Sequence, residues 1–327
     1  MFLLIQLITT GGTIASLPDE KGDVSATLTG ETLLKHLGIK ENIHINSAVT
    51  IGSYAFNYST LYEVALHVMD ALKKPDISSV VITHGTDTME ETAFYLSLVT
   101  GESSKPIILT GAQLDPSYSY TDGPKNLQEA IIAAKSLALK NFGPLIVFGG
   151  FIYPARDVTK IDTHLLQGFD APNTGAIGRI DLDEVIIHST PEKLEPRFNP
   201  VIPTPVALIR LGVGMTGDEL KRMVETYEGV VIEGFGRGNA HPTILPVVEN
   251  LVQRNIPVLI TSRCPRGSVK PIYSKGGGKD LEKVGAIFMG NLSGIKARIL
   301  LGVMLANNLS LDEMKQTIYL LTKPFTN

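Results

Sequence analysis

Two short hydroxyl-rich stretches carry most of the chemistry that this chain could do. The first is Thr9-Thr10-Gly11-Gly12-Thr13-Ile14-Ala15-Ser16. Its paired glycines allow a sharp backbone turn, and Thr13 follows them directly. Thr13 reads either as a nucleophile at the end of a strand or as the capping hydroxyl of a tight turn. Taken alone, the stretch favours the turn. A phosphate loop would need a Gly-Lys-Ser/Thr ending, which is missing. The second stretch is Ile82-Thr83-His84-Gly85-Thr86-Asp87-Thr88-Met89-Glu90. Thr86, Asp87 or Thr88 could cap a following helix, with Glu90 or Glu91 completing a capping box. The same residues would also set a hydroxyl and a carboxylate beside the N–H groups of a helix start. There the carboxylate could bind an amino group and the hydroxyl could position water.

A threonine hydroxyl is a weak nucleophile until a neighbour takes its proton. Histidine is the usual partner, but His84, His164 and His241 stand in no recognisable triad pattern. A lysine whose amine is desolvated is the other option. Lys160, in Arg156-Asp157-Val158-Thr159-Lys160, is the candidate, against the commoner fate of a solvated loop charge. Other chemistries lack their residues. There is no Gly-x-Ser-x-Gly elbow and no His/Cys spacing for a metal. Cys264 is the one cysteine, so no internal disulfide can form. It has no thiol-protease signature and is expected to pack in the core.

The elements that must position these residues are legible as a pattern. Short, continuously apolar runs recur at Leu3–Ile8, Val80–Thr83, Ile107–Thr110, Leu145–Phe148, Ala207–Leu211, Val230–Glu233, Val258–Thr261 and Ala286–Met289. Continuous rather than alternating runs suit strands covered on both faces. Helical patterns fall between them at Ser59–Lys73, Met89–Leu98, Pro124–Lys140, Gly217–Tyr227 and Ile244–Arg254. The alternation predicts an α/β protein with a mostly parallel sheet and flanking helices. Ligands of such sheets bind beyond the carboxyl ends of the strands, which is where Thr13 and Thr86 fall.

At about 150 residues per domain, a chain of 327 residues is expected to form two. Ser189–Pro205 holds five prolines and no periodicity, and it reads as the linker. The expected division is an N-terminal α/β domain over 1–188, a linker over 189–205 and a smaller C-terminal α/β domain over 206–327. The composition is 43% hydrophobic and 19% charged, which suits a packed core. A net charge of −4 without a basic run offers nothing to nucleic acid. The N-terminal run lacks the charged start of a signal peptide, and no apolar stretch is long enough to span a bilayer. A cytoplasmic protein without membrane partners is therefore expected.

Taken together, these motifs resemble the bacterial-type L-asparaginase/glutaminase family. The resemblance rests on Thr10-Gly11-Gly12-Thr13-Ile14-Ala15, Thr83-His84-Gly85-Thr86-Asp87-Thr88-Met89-Glu90, Thr110-Gly111-Ala112 with Asp122-Gly123-Pro124, and Arg156-Asp157-Val158-Thr159-Lys160. Gly234-Phe235-Gly236-Arg237-Gly238-Asn239 and Lys296-Ala297-Arg298 extend it through the second half. Each motif is weak by itself, and the ordered set is specific.

The resemblance implies a two-domain asparaginase-like fold and an L-asparagine amidohydrolase with weaker glutamine activity. It makes Thr13 the primary nucleophile, passing through an acyl-enzyme. Thr86, Asp87 and Lys160 form the second cluster. Ser53 and its neighbour Tyr54 would meet the substrate backbone, and Ala112 would lend main-chain contacts. Asn239 would reach the site of a neighbouring subunit, which implies a homodimer or a homotetramer built from tight dimers. No cofactor or metal is implied. Two departures stand out. Many members carry Gln where this chain has Tyr54, and the loop Leu17–Gly30 lacks the family tyrosine, with Asp23 or Ser25 near its place. Two competing readings remain. One is an asparaginase-like amidase subunit of a tRNA-dependent amidotransferase, although such subunits carry an N-terminal domain ahead of the strand with which this sequence opens. The other is an asparagine-binding protein that has lost turnover.

Overall fold

The computed structural model describes residues 4–36, 43–101, 103–191 and 197–322. It divides into two compact units, Met1–Pro200 and Val201–Asn327. The expected strand start at Leu3 and residues 192–196 of the expected linker lie outside the described residues.

The first unit runs β1 (Leu4–Gly11), β2 (Ser16–Pro18), β3 (Val24–Ala26), α1 (Gly30–His36), β4 (Ile43–Ile51), α2 (Tyr58–Lys73), β5 (Ile77–Thr83), α3 (Met89–Thr100) and β6 (Ile107–Thr110). It continues with α4 (Gly123–Lys135), β7 (Pro144–Phe148), β8 (Phe151–Pro154), β9 (Thr159–Lys160), β10 (Phe169–Asp170), β11 (Gly178–Asp181) and β12 (Glu184–Ile187). Eight of the strands form one sheet in the order β12-β11-β8-β7-β6-β5-β1-β4. The strands from β4 across to β7 are parallel, and β8, β11 and β12 add an antiparallel end.

The apolar runs behave as expected: β6 and β7 are buried along their whole length. Leu127, Ala130 and Ile131 of α4 cover one face through Val81, Ile108 and Leu145. On α2, Leu61, Val64 and Val68 are buried, and α3 is buried at Phe94, Tyr95 and Leu98. After β1 the chain moves to the edge strand β4 and then returns to the other side of β1 as β5. That reversal is a topological switch point, and it opens a crevice beyond the carboxyl ends of β1 and β5.

Several elements differ from the sequence reading. The helix expected over Pro124–Lys140 ends at Lys135, because Ser136 turns to extended backbone before a single 3₁₀ turn at Leu137–Leu139. Strand β4 was not expected. It is half-buried rather than apolar throughout, as an edge strand is, and so it carries no continuous apolar run. The antiparallel strands β8, β11 and β12 are four residues each, too short for a periodicity to show.

The second unit alternates β13 (Ala207–Arg210), α5 (Gly217–Val224), β14 (Val230–Gly234), α6 (Leu245–Gln253), β15 (Val258–Ser262), α7 (Gly278–Lys283) and β16 (Ile287–Phe288), and ends with α8 (Gly294–Ala306) and α9 (Leu311–Thr322). Its four strands are all parallel and in sequential order. Cys264 does not pack in the core. It is exposed, two residues past the end of β15, in a turn where its backbone N–H donates to Ser262 Oγ at 3.1 Å. Its small apolar surface is outweighed by its position in a polar loop between Arg263 and Pro265.

Candidate active site

Three strand-end turns meet over the switch point. Thr13 opens a single 3₁₀ turn after β1, and Gly12 precedes it with φ 78°. A side chain at Gly12 would run into the backbone of Gly85, the first turn residue after β5 and His84. A side chain at Gly85 would in turn meet Ser53, in the 3₁₀ turn after β4. Glycine is therefore required at both places by close approach, and at Gly12 also by backbone angle. Hydrogen bonds tie the same turns together. Thr10 Oγ1 donates to the Thr83 carbonyl at 2.9 Å, and Thr88 Oγ1 donates to the Ser53 carbonyl at 2.9 Å.

Thr88 holds the N-cap position of α3, yet its hydroxyl makes no capping bond because it is spent on Ser53. The capping box is not formed through Glu90 either. Glu90 is buried, and its Oε1 accepts from Thr159 Oγ1 at 2.9 Å and from the Lys160 backbone N–H at 3.2 Å. The stretch read as a possible helix cap thus works as a brace between α3 and β9.

The turns enclose a cavity of about 450 Å³. Thr13, Ser53, Tyr54, Thr86 and Asp87 all line it, and so does Ser25 from β3. Ser53 is buried, whereas Tyr54 is 80% exposed at the rim with its ring lying over Gly52. Lys160 does not itself line the cavity but completes it. Its Nζ donates to Thr86 Oγ1 at 2.8 Å and to Asp87 Oδ1 at 2.8 Å. The amine is mostly covered, with 17% of the side chain exposed, so it is not the solvated loop charge that loop lysines usually become. Its strand β9 follows a turn closed by the buried Arg156–Asp157 ion pair at 2.5 Å and pairs with β10.

Two further residues belong here, one that the sequence reading passed over and one that it read only as part of a helix cap. Gln113 follows the buried Ala112 after β6, and its Oε1 accepts from the Thr86 hydroxyl at 3.1 Å. Its backbone and that of Leu114 donate to the Asp122 carboxylate at 3.0 Å, which fixes the turn after β6 against the start of α4. Glu90 is the other, through its hold on β9. Gln113, three residues past the end of β6, offered no signal in the sequence beyond being polar in a turn after a buried strand. Ala112 itself lies beneath the site and not on the cavity wall.

The histidines divide clearly. His84 is wholly buried. Its Nδ1–H donates to the Gly85 carbonyl at 2.8 Å, its Nε2 accepts from Thr92 Oγ1 at 2.8 Å, and the Phe56 ring lies 4.5 Å away. Burial pushes its pKa down to about 4, against a smaller opposing effect of the Gly85 bond. It is a neutral prop under the Thr86 turn. His164 lies in the exposed loop after β9. His241 belongs to the second unit and caps a 3₁₀ turn there. Asn239 is likewise in the second unit, where its Oδ1 accepts from the Gly278 N–H at 3.0 Å. Among the described residues no group of three or more His, Cys, Asp or Glu side chains could hold a metal ion.

A hydroxyl held by an amine that is itself held by a carboxylate can move protons. A second hydroxyl in the same cavity, on a sharp glycine turn, can attack. Comparison with known proteins bears on which substrate such a pair would meet. The chain matches the family model described as "Asparaginase, N-terminal" over residues 4–193 and the one described as "Glutaminase/Asparaginase C-terminal domain" over residues 205–318. It is 33% identical over 311 residues to an L-asparaginase of Bacillus licheniformis, covering 93% of this chain and 95% of that one. The thermostable L-asparaginase from Thermococcus kodakarensis superposes with a TM-score of 0.88 at 26% identity, over 99% of this chain and all of its own. A probable cytoplasmic L-asparaginase from Campylobacter jejuni does so with a TM-score of 0.85 at 27% identity, over 97% and 99% of the two chains.

Proposed function

Given that the chain belongs to the asparaginase/glutaminase family, with both family regions matched in order, we propose that it hydrolyses L-asparagine to L-aspartate and ammonia. The observation that carries the reading is the Lys160 amine, 2.8 Å from both Thr86 Oγ1 and Asp87 Oδ1 at the cavity that also holds Thr13. Thr13 Oγ1 attacks the side-chain carbonyl carbon, and the C–N bond breaks. The Thr13 proton leaves with the amide nitrogen as ammonia. Water then cleaves the Thr13 ester, returns a proton to Thr13 Oγ1 and releases aspartate. Thr86, kept polarised by Lys160, handles the proton transfers. Asp87 holds Lys160 and receives the substrate amino group, and Ser53 meets the α-carboxylate. Tyr54 closes the rim, and Ala112 supports the turn beneath the site. Asn239 acts on the site of a second copy, in an assembly built from tight dimers. Sedimentation of the active protein as a monomer would remove that role. The site works without a cofactor, in the cytoplasm.

Release of ammonia from asparagine by the purified protein tests the reading. Thr13→Ala is expected to lower kcat by at least about 10³-fold, since it removes the nucleophile of a two-step reaction. Wild-type turnover in that variant would show that Thr13 does not attack. One observation favours a second assignment: Thr86, not Thr13, has the amine at hydrogen-bond distance. In that assignment Thr86→Val would be the silent enzyme and Thr13→Ala the slow one. Glutamine is longer by one methylene, a difference of about 1–3 kcal/mol in a fitted pocket, so its kcat/KM is expected to lie about 10- to 100-fold lower.

A further inference from the structure

The Thr86 hydroxyl has a single hydrogen, and the structure shows where it points. The Lys160 ammonium can only donate, and it donates to Thr86 Oγ1 at 2.8 Å. The Thr86 hydrogen then goes to Gln113 Oε1 at 3.1 Å. The opposite end of the Gln113 amide is also fixed. Its Nε2 donates to the carbonyls of Leu165, at 3.0 Å, and Asp162, at 3.4 Å. Reversing the amide would set its oxygen against two carbonyl oxygens, so the contacts choose its orientation. The loop that offers those carbonyls follows Lys160 directly and is shaped by Asp162, whose Oδ1 accepts from the backbone of His164 and Leu165 at 2.7 Å each. A side chain at Gly168 would strike Gln113 Nε2, so the loop closes tightly on the amide.

We propose that Gln113 is a positioning residue that aims the Thr86 hydroxyl, and that it makes this aim depend on the loop carrying Lys160. The proposal rests on the reading that Thr86 takes part in turnover. A hydroxyl rotor has three staggered positions. With its hydrogen held by Gln113, Thr86 turns its lone pairs to Lys160 and remains an acceptor there. Without Gln113 the hydrogen competes for the other positions, including those facing the cavity, and the fraction of correctly set Thr86 falls. The substrate itself needs no contact with Gln113, so the loss belongs in kcat.

The test is steady-state kinetics of Gln113→Leu, Gln113→Glu, Thr86→Val and the double variants Gln113→Leu/Thr86→Val and Gln113→Glu/Thr86→Val. Thermal unfolding is followed in parallel. Gln113→Leu is expected to lower kcat about tenfold, the effect of one directed hydrogen bond in a transition state, with KM within about twofold of wild type. The carboxylic acid of Gln113→Glu copies the amide only when protonated. Its kcat relative to wild type should therefore rise as pH falls toward the titration range of that carboxyl, and the rise should vanish in the Thr86→Val background, where a purely structural role would keep it. In the Thr86→Val background, Gln113→Leu should cost nothing more. Wild-type kcat in Gln113→Leu, or an equal loss with and without Thr86, overturns the proposal. If Gln113→Leu fails to fold, the pH profile of Gln113→Glu decides alone, and a ratio that does not change with pH, or a rise that persists in the Thr86→Val background, overturns it. Wild-type turnover in Thr86→Val would instead defeat the underlying reading of the site, and so the two failures remain distinct.

Discussion

At the scale of single residues, the turn that carries Thr86 is held by neighbours outside the cavity, His84 next to it in the chain and Gln113 across from it. His84 is the clearest case. It is buried and neutral, with a pKa near 4 against about 6.5 in an unfolded chain. Between those values the unfolded chain binds the proton and the folded one does not. Stability from this group is therefore complete above about pH 6.5 and declines as pH falls toward 4, by up to about 3 kcal/mol. Urea unfolding at a series of pH values should show that decline in the wild type and a flatter profile in His84→Asn. Parallel profiles would contradict it. Thr13, Thr86, Asp87 and Lys160 were legible in the sequence through the family resemblance, and the fold brings Lys160 onto Thr86 and Asp87 at the cavity that Thr13 also lines. Gln113 was not, because a glutamine neither titrates nor attacks, and its role appears only when Thr86 and the loop after Lys160 meet around it. Cys264 was misjudged for a related reason. Its type favours burial, but its place in a turn after β15 decides otherwise.

At the scale of elements, the chemistry depends on how α3 and β9 are joined. Glu90 sits in the first turn of α3 and accepts two hydrogen bonds from Thr159 and Lys160. Thr86 and Asp87 immediately precede the same helix, so the brace keeps the amine in register with its two partners. Hydrogen bonds to a carboxylate contribute about 1.5–3 kcal/mol each. Glu90→Ala should destabilise the protein by about 2–4 kcal/mol and lower kcat about tenfold or more, since it frees both donors. Glu90→Gln keeps an acceptor oxygen and should retain most activity. Guanidinium unfolding and kcat for the two variants check this, and an active, stable Glu90→Ala would show that β9 is held by other means. A capping box was the natural sequence reading of Thr86–Glu91. It fails because both the Thr88 hydroxyl and the Glu90 carboxylate reach out of the helix instead of back along it. Spacing alone cannot separate those uses, because both start from a polar residue at a helix start.

At the scale of the whole molecule, the sheet order explains why separate stretches of sequence converge. The crossover from β1 to β4 and back to β5 puts the turns that carry Thr13, Ser53 and Thr86 side by side. The parallel strands β5, β6 and β7 were legible because burial on both faces leaves an unbroken apolar run. The edge strand β4 and the short antiparallel end were not, since one-sided burial and four-residue lengths leave no comparable signature. The second unit repeats the simpler pattern, with four parallel strands in sequential order. The central claim is that Thr13 carries the acyl group during asparagine hydrolysis. The most direct measurement is acid quenching of the wild type during turnover, followed by peptide mass mapping. An aspartyl ester on the peptide containing Thr13, absent from Thr13→Ala, is the predicted result. An ester on Thr86 in the wild type, or turnover with no residue ever acylated, would contradict it.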